Sequence, residues 1–361
     1  MLPVALPEEA RLYLEPLCLS SDDEGGRPLA GGPLHFHRLA IIVRAGGLTH
    51  AASAGLAGAR RWADRLAPAH GEVFAASLAR LSAPRPPVAG LALCRPLLMG
   101  ILNVTPDSFS DGGEHPTAAS AIARAQRLAT DGADLLDIGG ESTRPGAAAV
   151  TAAEEWRRVG PVLRGLDGFG LPLSIDSRHA PVIGQALALG VRIVNDVSGF
   201  HHEPLGLALA AGAGAGVVLM HSRGEPHTMR RLAGYRDVAL DVYDELSGLL
   251  VRAEAAGIAR ADILLDPGIG FAKTAEQNLE LLRHLPLFHA LGQPLMLGLS
   301  RKSFLAAFSD GAAPKGRLAA SLAAALFAAE HGVQVLRVHD VTETRQALAV
   351  WRALRFGGGT G

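Results

Sequence analysis

Nine polar side chains stand at or just beyond the ends of short apolar runs: Asn103, Asp137, Asp176, Asn195, Asp196, His221, Asp266, Ser300 and His339. A carboxylate in such a place can accept two N–H groups of one ligand at once, and charge-assisted hydrogen bonds are the stronger kind. Lys302 adds three donors just past another run. Arg337 and His339 are two residues apart, so on an extended strand both point to the same side. Each residue also has a plainer reading. A lone Asp after a strand is often the N-cap of the next helix, Arg337 suits a rim salt bridge, and His339 suits a satisfied core histidine.

The elements that carry these residues decide between the readings. The apolar runs are Leu97–Asn103, Leu135–Ile138, Leu173–Asp176, Ile193–Asp196, Val217–Met220, Ile263–Asp266, Leu295–Leu299 and Val335–Val338, each followed by an Ala/Leu-rich helical segment. Near-continuous apolar strands alternating with helices predict a parallel sheet covered on both faces. Eight such units over roughly 260 residues are what a closed (β/α)8 barrel requires. The competing doubly wound sheet announces itself with a Gly-rich turn after its first strand, but here that turn reads NVTPDSFSDGG. In a barrel the carboxyl ends of all strands share one rim, so these distant segments converge on one pocket.

Residues 1–92 read differently from the barrel region, residues 93–361. They contain an acidic, Gly-bearing loop at Ser20–Gly32, an apolar run at Leu39–Val43 and a helical candidate near Leu56–Arg65. The proline-broken stretch Ala83–Ala89 (APRPPVA) reads as a linker, because proline disfavours helix interiors and central strands. The expectation is a small α/β extension of unknown role.

Composition excludes some function classes. Lys and Arg number 34 against 35 Asp and Glu, so the basic excess of a broad nucleic-acid footprint is absent. No stretch reads as a membrane span, and no basic flank with an apolar run marks a signal peptide. The two cysteines, Cys18 and Cys94, lie far apart without histidines at zinc spacing, which suits free thiols in a reducing compartment. The expected location is the cytoplasm, with neither nucleic acid nor membrane as partner.

The segments MGILNVTPDSFSDGG (Met99–Gly113) and GADLLDIGGESTRPG (Gly132–Gly146) resemble the dihydropteroate synthase family. So do SIDS (Ser174–Ser177), IVNDVSG (Ile193–Gly199), LMHSRG (Leu219–Gly224), LLDPGIGFAKT (Leu264–Thr274), LGLSRKS (Leu297–Ser303) and RVHDV (Arg337–Val341). The resemblance covers essentially all of residues 97–355 in order. It implies condensation of 6-hydroxymethyl-7,8-dihydropterin diphosphate with 4-aminobenzoate to dihydropteroate, with Mg2+ assisting, in a homodimer. Asp176, Asn195, Asp266 and Lys302 match the family's pterin contacts, and a pterin edge does present the paired N–H donors a carboxylate can accept. Asn103, Ser142, Thr143, Arg144, Arg337 and His339 match the diphosphate site. Asn103 there offers an oxygen to Mg2+, which prefers oxygen ligands and keeps most of its waters.

By the same resemblance Phe109, Thr143, Pro145, Phe271, Ser300 and Lys302 form the 4-aminobenzoate site, and Asp111 approaches the amine. Arg337, His339, Lys302 and Asp111 are the expected catalytic residues. Diphosphate is a good leaving group and a dihydropterin is electron-rich, so an SN1-like substitution is expected, with the protein supplying orientation and charge stabilisation. Two positions depart from the commoner family wording: Ala272, where glycine is frequent, and Glu225, where a small residue is. Neither is expected to cost activity. A methyltetrahydrofolate methyltransferase barrel would share the ring-binding Asp and Asn but has no use for TPDSFSDGG, ESTRPG and RVHDV together. A catalytically silent pterin-binding barrel should have lost part of the constellation, which is present in full.

Overall fold

The alternation of apolar and helical segments after residue 96 becomes an eight-stranded parallel sheet rolled into a barrel. The structure, a computed structural model, describes residues 2–105, 117–142, 149–224 and 228–357. The chain first forms four strands, β1 (Arg11–Ser20), β2 (Arg27–Pro28), β3 (His35–Ala45) and β4 (Leu48–Gly55), then helices α1 (Leu56–Ala63) and α2 (Pro68–Ser82). There follow β5 (Leu97–Asn103), α3 (Ala118–Asp131), β6 (Leu135–Gly139), α4 (Ala152–Gly165), β7 (Leu173–Asp176), α5 (Ala180–Ala188), β8 (Ile193–Asp196), α6 (Leu205–Ala213) and β9 (Gly216–Met220). The last elements are α7 (Val238–Ala255), β10 (Ile263–Asp266), α8 (Ala275–Arg283), α9 (Leu285–Phe288), β11 (Met296–Gly298), α10 (Leu318–Glu330), β12 (Val335–Val338) and α11 (Val341–Phe356).

The sheet order β10-β9-β8-β7-β6-β5-β12-β11 is closed by a parallel bridge between Leu265 and Leu295. All eight expected strands are present, with ends shifted by at most one residue at β6, β9 and β11. They read as continuous apolar runs because barrel strands are covered inside by side chains and outside by helices. Several helices start where a side chain can accept an orphan backbone N–H: Thr117 and Thr274 form capping boxes with Ser120 and Gln277, while Thr151 and Asp237 cap α4 and α7.

The N-terminal strands form an antiparallel sheet in which β3 is paired with β1, β2 and β4. Along β1 five consecutive residues, Leu12 to Pro16, are buried, so this strand is covered on both faces. Tyr13 donates its hydroxyl to Asp244 of α7 (2.9 Å to Oδ2) and meets the ring of Tyr243 edge-on at 5.4 Å. Arg44 of β3 pairs with Asp241 at 2.9 Å, and Glu15, 5% exposed, meets His284 Nδ1 at 2.9 Å. Apolar side chains of the sheet, including Leu14 and Phe36, belong to the same continuous core as the barrel's outer layer.

The proline-broken stretch does more than connect. Arg85 is buried and donates to the carbonyl oxygens of Arg80, Ala83 and His289 at 2.8 to 2.9 Å. Val88 pairs through its backbone with Leu91, and both pack against Leu97, Met99, Leu135, Ile193, Val218, Leu264, Met296 and Val335. Those residues lie near the amino-terminal ends of the barrel strands, so the segment plugs the mouth opposite the expected site. Among the described residues no helix is long and apolar enough to cross a membrane.

A shared core implies shared unfolding. Leu14→Ala, at a fully buried position, is expected to cost about 2–5 kcal/mol. Calorimetry should show one endotherm moving to lower temperature. Two resolved transitions, of which only one moves, would mean that the sheet unfolds apart from the barrel.

Candidate functional site

Strand register places the polar residues at a common level. Asn103 of β5 is opposite Gly139 of β6, Gly139 opposite Asp176 of β7, and Asp176 opposite Asn195 of β8. A Cβ on Gly139 would lie 3.4 Å from Asp176 Oδ2, so the absent side chain leaves room for that carboxylate. Asp137, Asp176 and Asp266 are buried, at 0%, 7% and 5% exposed.

Arg337 of β12 joins the two sides of the pocket. Its Nε donates to Asp137 Oδ2 and one Nη to Asp176 Oδ2, both at 2.6 Å. Asn195 Nδ2 donates to the same Asp137 Oδ2 at 2.9 Å. Burial pushes the Asp176 carboxyl well above the usual range, and the nearby Asp137 charge adds to the rise while Arg337 opposes it. The Arg337 guanidinium is in turn held more firmly protonated by the two carboxylates, against its own desolvation. Asp137 Oδ1 and Asn195 Oδ1 are buried acceptors with no partner among the described residues. Two acceptors of this kind are costly to leave unpaired, and a ligand's N–H groups would satisfy them.

Asp266 and Lys302 close the opposite side. Asp266 Oδ1 accepts the Gly268 N–H at 2.7 Å, and burial raises its pKa. Gly268 has φ +71°, and a Cβ there would lie 1.8 Å from the carbonyl oxygen of His221, so no other residue fits the turn. Lys302 Nζ lies 4.2 Å from the centre of the Phe271 ring, a cation–π contact. Desolvation lowers the Lys302 pKa to about 8, against the pull of Asp266. Ala272, next to Phe271, is buried and has φ 49°, so a left-handed position where glycine is free of strain here carries a methyl group.

Ser300 and His339 meet at the ends of β11 and β12. Ser300 Oγ lies 3.0 Å from His339 Nδ1 and accepts the His339 backbone N–H at 3.3 Å. Asn103 and Ser142 are half-buried at the ends of β5 and β6. Phe109, Asp111, Thr143, Arg144 and Pro145 lie outside the described residues. Of the residues singled out from the sequence, Asp176, Asn195, Asp266, Lys302 and Arg337 therefore gather in one pocket, with Phe271 on its wall and Ser300 and His339 beside it.

Other polar groups here had no assigned role. Asp137 stands among the nine strand-end polar residues of the sequence, without a role of its own there. Lys273 bonds His221 Nδ1 at 3.0 Å and the carbonyl oxygens of Gly268 and Phe271, and burial lowers its pKa to about 7. His221 is kept neutral, its pKa lowered to about 4 by burial and by Lys273, while its Nε2 lies 2.9 Å from Glu245 of α7. Glu245 also pairs with Arg223, whose guanidinium covers the Tyr235 ring at 3.9 Å. This network fixes the turn that carries Asp266 and Phe271. On the far side a two-pronged Arg178–Glu141 pair, at 2.8 and 2.9 Å, ties the loop after β7 to the loop after β6.

The family model for pterin binding enzymes matches residues 99–339 of the chain. Dihydropteroate synthase of Neisseria meningitidis serogroup B is 46% identical over 269 residues, covering 73% of this chain and 94% of that protein. The Escherichia coli K12 dihydropteroate synthase is 44% identical over 264 residues, 73% of this chain and 93% of that protein. Among solved structures, a Xanthomonas albilineans dihydropteroate synthase with 4-aminobenzoic acid superposes with a TM-score of 0.70 at 47% identity, over 75% of this chain and 98% of that one. The same organism's enzyme in complex with 7,8-dihydropteroate gives 0.68 at 45% identity, over the same shares of the two chains.

Removing the carboxylate that Arg337 and Asn195 share should be costly. Asp137→Ala is expected to lower the unfolding free energy by about 3 kcal/mol or more, since it breaks a buried pair. Asp137→Asn, which keeps one acceptor, should cost less. Urea denaturation reads both, and equal losses would show that the charge at this position does not matter.

Proposed function

The chain belongs to the pterin binding enzyme family, among its dihydropteroate synthases, and from that premise we propose how its residues divide the reaction. It is a transferase of folate biosynthesis, joining 6-hydroxymethyl-7,8-dihydropterin diphosphate to 4-aminobenzoate to give 7,8-dihydropteroate and diphosphate. The observation that carries the division of labour is the gathering of Asp176, Asn195, Asp266, Lys302 and Arg337 from five strand ends into one buried pocket. Asp266 and Asp176 accept the paired N–H donors of the dihydropterin, Asn195 offers its unpaired Oδ1, and Lys302 donates to the ring carbonyl side. Phe271, Ser300 and Lys302 serve the 4-aminobenzoate, together with Phe109, Thr143, Pro145 and Asp111.

Arg337 and His339, with Asn103, Ser142, Thr143 and Arg144, take the diphosphate. The C–O bond between the methylene carbon and the diphosphate breaks first, and its electron pair leaves with the diphosphate. The aromatic amine then forms the C–N bond and loses a proton to solvent. Arg337's planar fork and the His339 ring stabilise the charge that grows on the leaving oxygen. Mg2+ fits Asn103, for a hard cation that keeps its waters and shares phosphate oxygens needs few protein ligands, and the one His/Cys/Asp/Glu trio among the described residues lies elsewhere. When bound there it would neutralise charge on the diphosphate. A cytoplasmic homodimer completes the reading; exposed Phe327, Val350 and Leu354 on α10 and α11 give two copies an apolar face to share.

Purified chain with both substrates and Mg2+ should release diphosphate and form dihydropteroate in equal amounts, with little of either from Asp266→Ala. Unchanged turnover in Arg337→Ala would rule out its aid to ionisation. The pH dependence separates Lys302 from the rest. Its ammonium is present below about 8 and lost above it, so pterin affinity should fall roughly tenfold per pH unit above 8. In Lys302→Arg, which stays charged, that slope should vanish even if the absolute affinity is lower. A slope that survives the substitution would assign it to another group.

A further inference from the structure

Outside the pocket, the loops after β7 and β8 bring two histidines and a glutamate together. His179, His202 and Glu203 each offer one ligand atom, and the three atoms lie within 4.8 Å of one another. The two imidazole rings meet edge-to-face at 5.5 Å. We propose that this trio binds a divalent transition-metal ion of the zinc type and staples the two loops together.

The first argument is the way His179 is held. It is buried, and its Nδ1 lies 2.7 Å from Oε2 of Glu155, a carboxylate with no exposure at all. Glu155 is fixed in turn by the Ser177 hydroxyl at 3.0 Å, and that hydroxyl accepts the His179 backbone N–H at 3.2 Å. With Nδ1 facing this carboxylate, Nε2 is the nitrogen left for a metal ion. Metal-ligating histidines carry this kind of outer partner, which fixes the tautomer and the ring orientation and raises the basicity of the coordinating nitrogen.

The second argument is the placement of the other two donors. Glu203 Oε2 accepts the Ala180 N–H at 2.8 Å, so the carboxylate is anchored at the first turn of α5, beside His179, with its second oxygen left for a cation. His202 is held by its backbone N–H on Ser198 Oγ at 3.1 Å, and its ring lies at the surface. Metal–nitrogen bonds of about 2.0–2.1 Å put tetrahedral ligand atoms about 3.4 Å apart, so the trio must draw in slightly. His179 is buried and His202 is exposed, so the adjustment falls on the His202 side of the trio.

The donor set selects the ion. Two imidazoles and one carboxylate suit Zn2+, Co2+ or Ni2+, whereas Mg2+ and Ca2+ favour oxygen ligands. Three protein ligands leave a position for water. None of the three is among the residues assigned above to the pterin, the diphosphate or the 4-aminobenzoate. Its effect is on the scaffold: Asp176 is three residues before His179, and Asn195 is seven before His202, so a staple here stiffens the ends of the two strands that carry them.

Metal-stripped full chain, titrated with Co2+ and followed by visible absorption and calorimetry, tests this. One tightly bound Co2+ with the strong bands of four- or five-coordination is expected, weakened at least tenfold in His202→Ala and in Glu203→Gln. His201→Ala, which alters a neighbouring histidine engaged by Arg252 instead, should bind as the wild type does. Zn2+ should raise the melting temperature of the wild type and leave that of His202→Ala unmoved. Equal Co2+ affinity in the wild type and His202→Ala would overturn the proposal. So would thiolate charge-transfer bands, which would place the ion on Cys18 or Cys94.

Discussion

The site depends on one guanidinium shared by two buried carboxylates. Asp137 and Asp176 lie on neighbouring strands and are both buried, so a cation between them relieves a repulsion that otherwise pushes Asp176 toward its neutral form. Arg337 comes from β12, on the other side of β5, and reaches both at 2.6 Å. The register of β5 to β8 is therefore tied to the position of β12 by ionic as well as backbone contacts. Asn195 joins through the same Asp137 oxygen. The pocket wall is thus held in shape before any ligand arrives, which lowers the ordering cost of binding.

The barrel was legible in the sequence because its physical demands are local. Each strand is covered on both faces and so shows as a near-continuous apolar run, and most runs end in a polar residue or are followed by one because the carboxyl ends alone face a cleft. The N-terminal sheet imposes no such pattern. Strand β4 (LTHAASAG) is small, polar and mostly exposed, and β1 is buried on both faces only because the barrel covers it. The proline-broken segment looked like a linker for a sound local reason. Only tertiary packing shows that Val88 and Leu91 fill the bottom of the barrel.

Within the site the same division holds. Asp176, Asn195, Asp266, Lys302 and Arg337 were found because they sit at strand ends in recognisable motifs. Asp137 sits in such a motif too, but its work is to hold Arg337 and Asn195, and holding is invisible without coordinates. Glu245 and Glu155 lie on helices far along the chain from the histidines they orient, at separations of 24 residues in both cases. Ala272 illustrates the reverse. Its departure from glycine was visible in the sequence, but the reason it matters, a left-handed backbone at 49°, was not.

In the reading proposed above, binding is an exchange of ion pairs. A diphosphate carries more charge than either carboxylate and competes with both for Arg337. If it won alone, Asp137 and Asp176 would be left buried without a cation, and that penalty would oppose binding. The dihydropterin ring of the same molecule brings N–H donors to Asp176, so the two halves of one substrate offset part of each other's costs. A free pterin leaves Arg337 where it is, and free diphosphate strands the acids. The joined substrate alone meets both sets of groups, so the charge arrangement that keeps the empty pocket in shape also favours the intact substrate over either fragment.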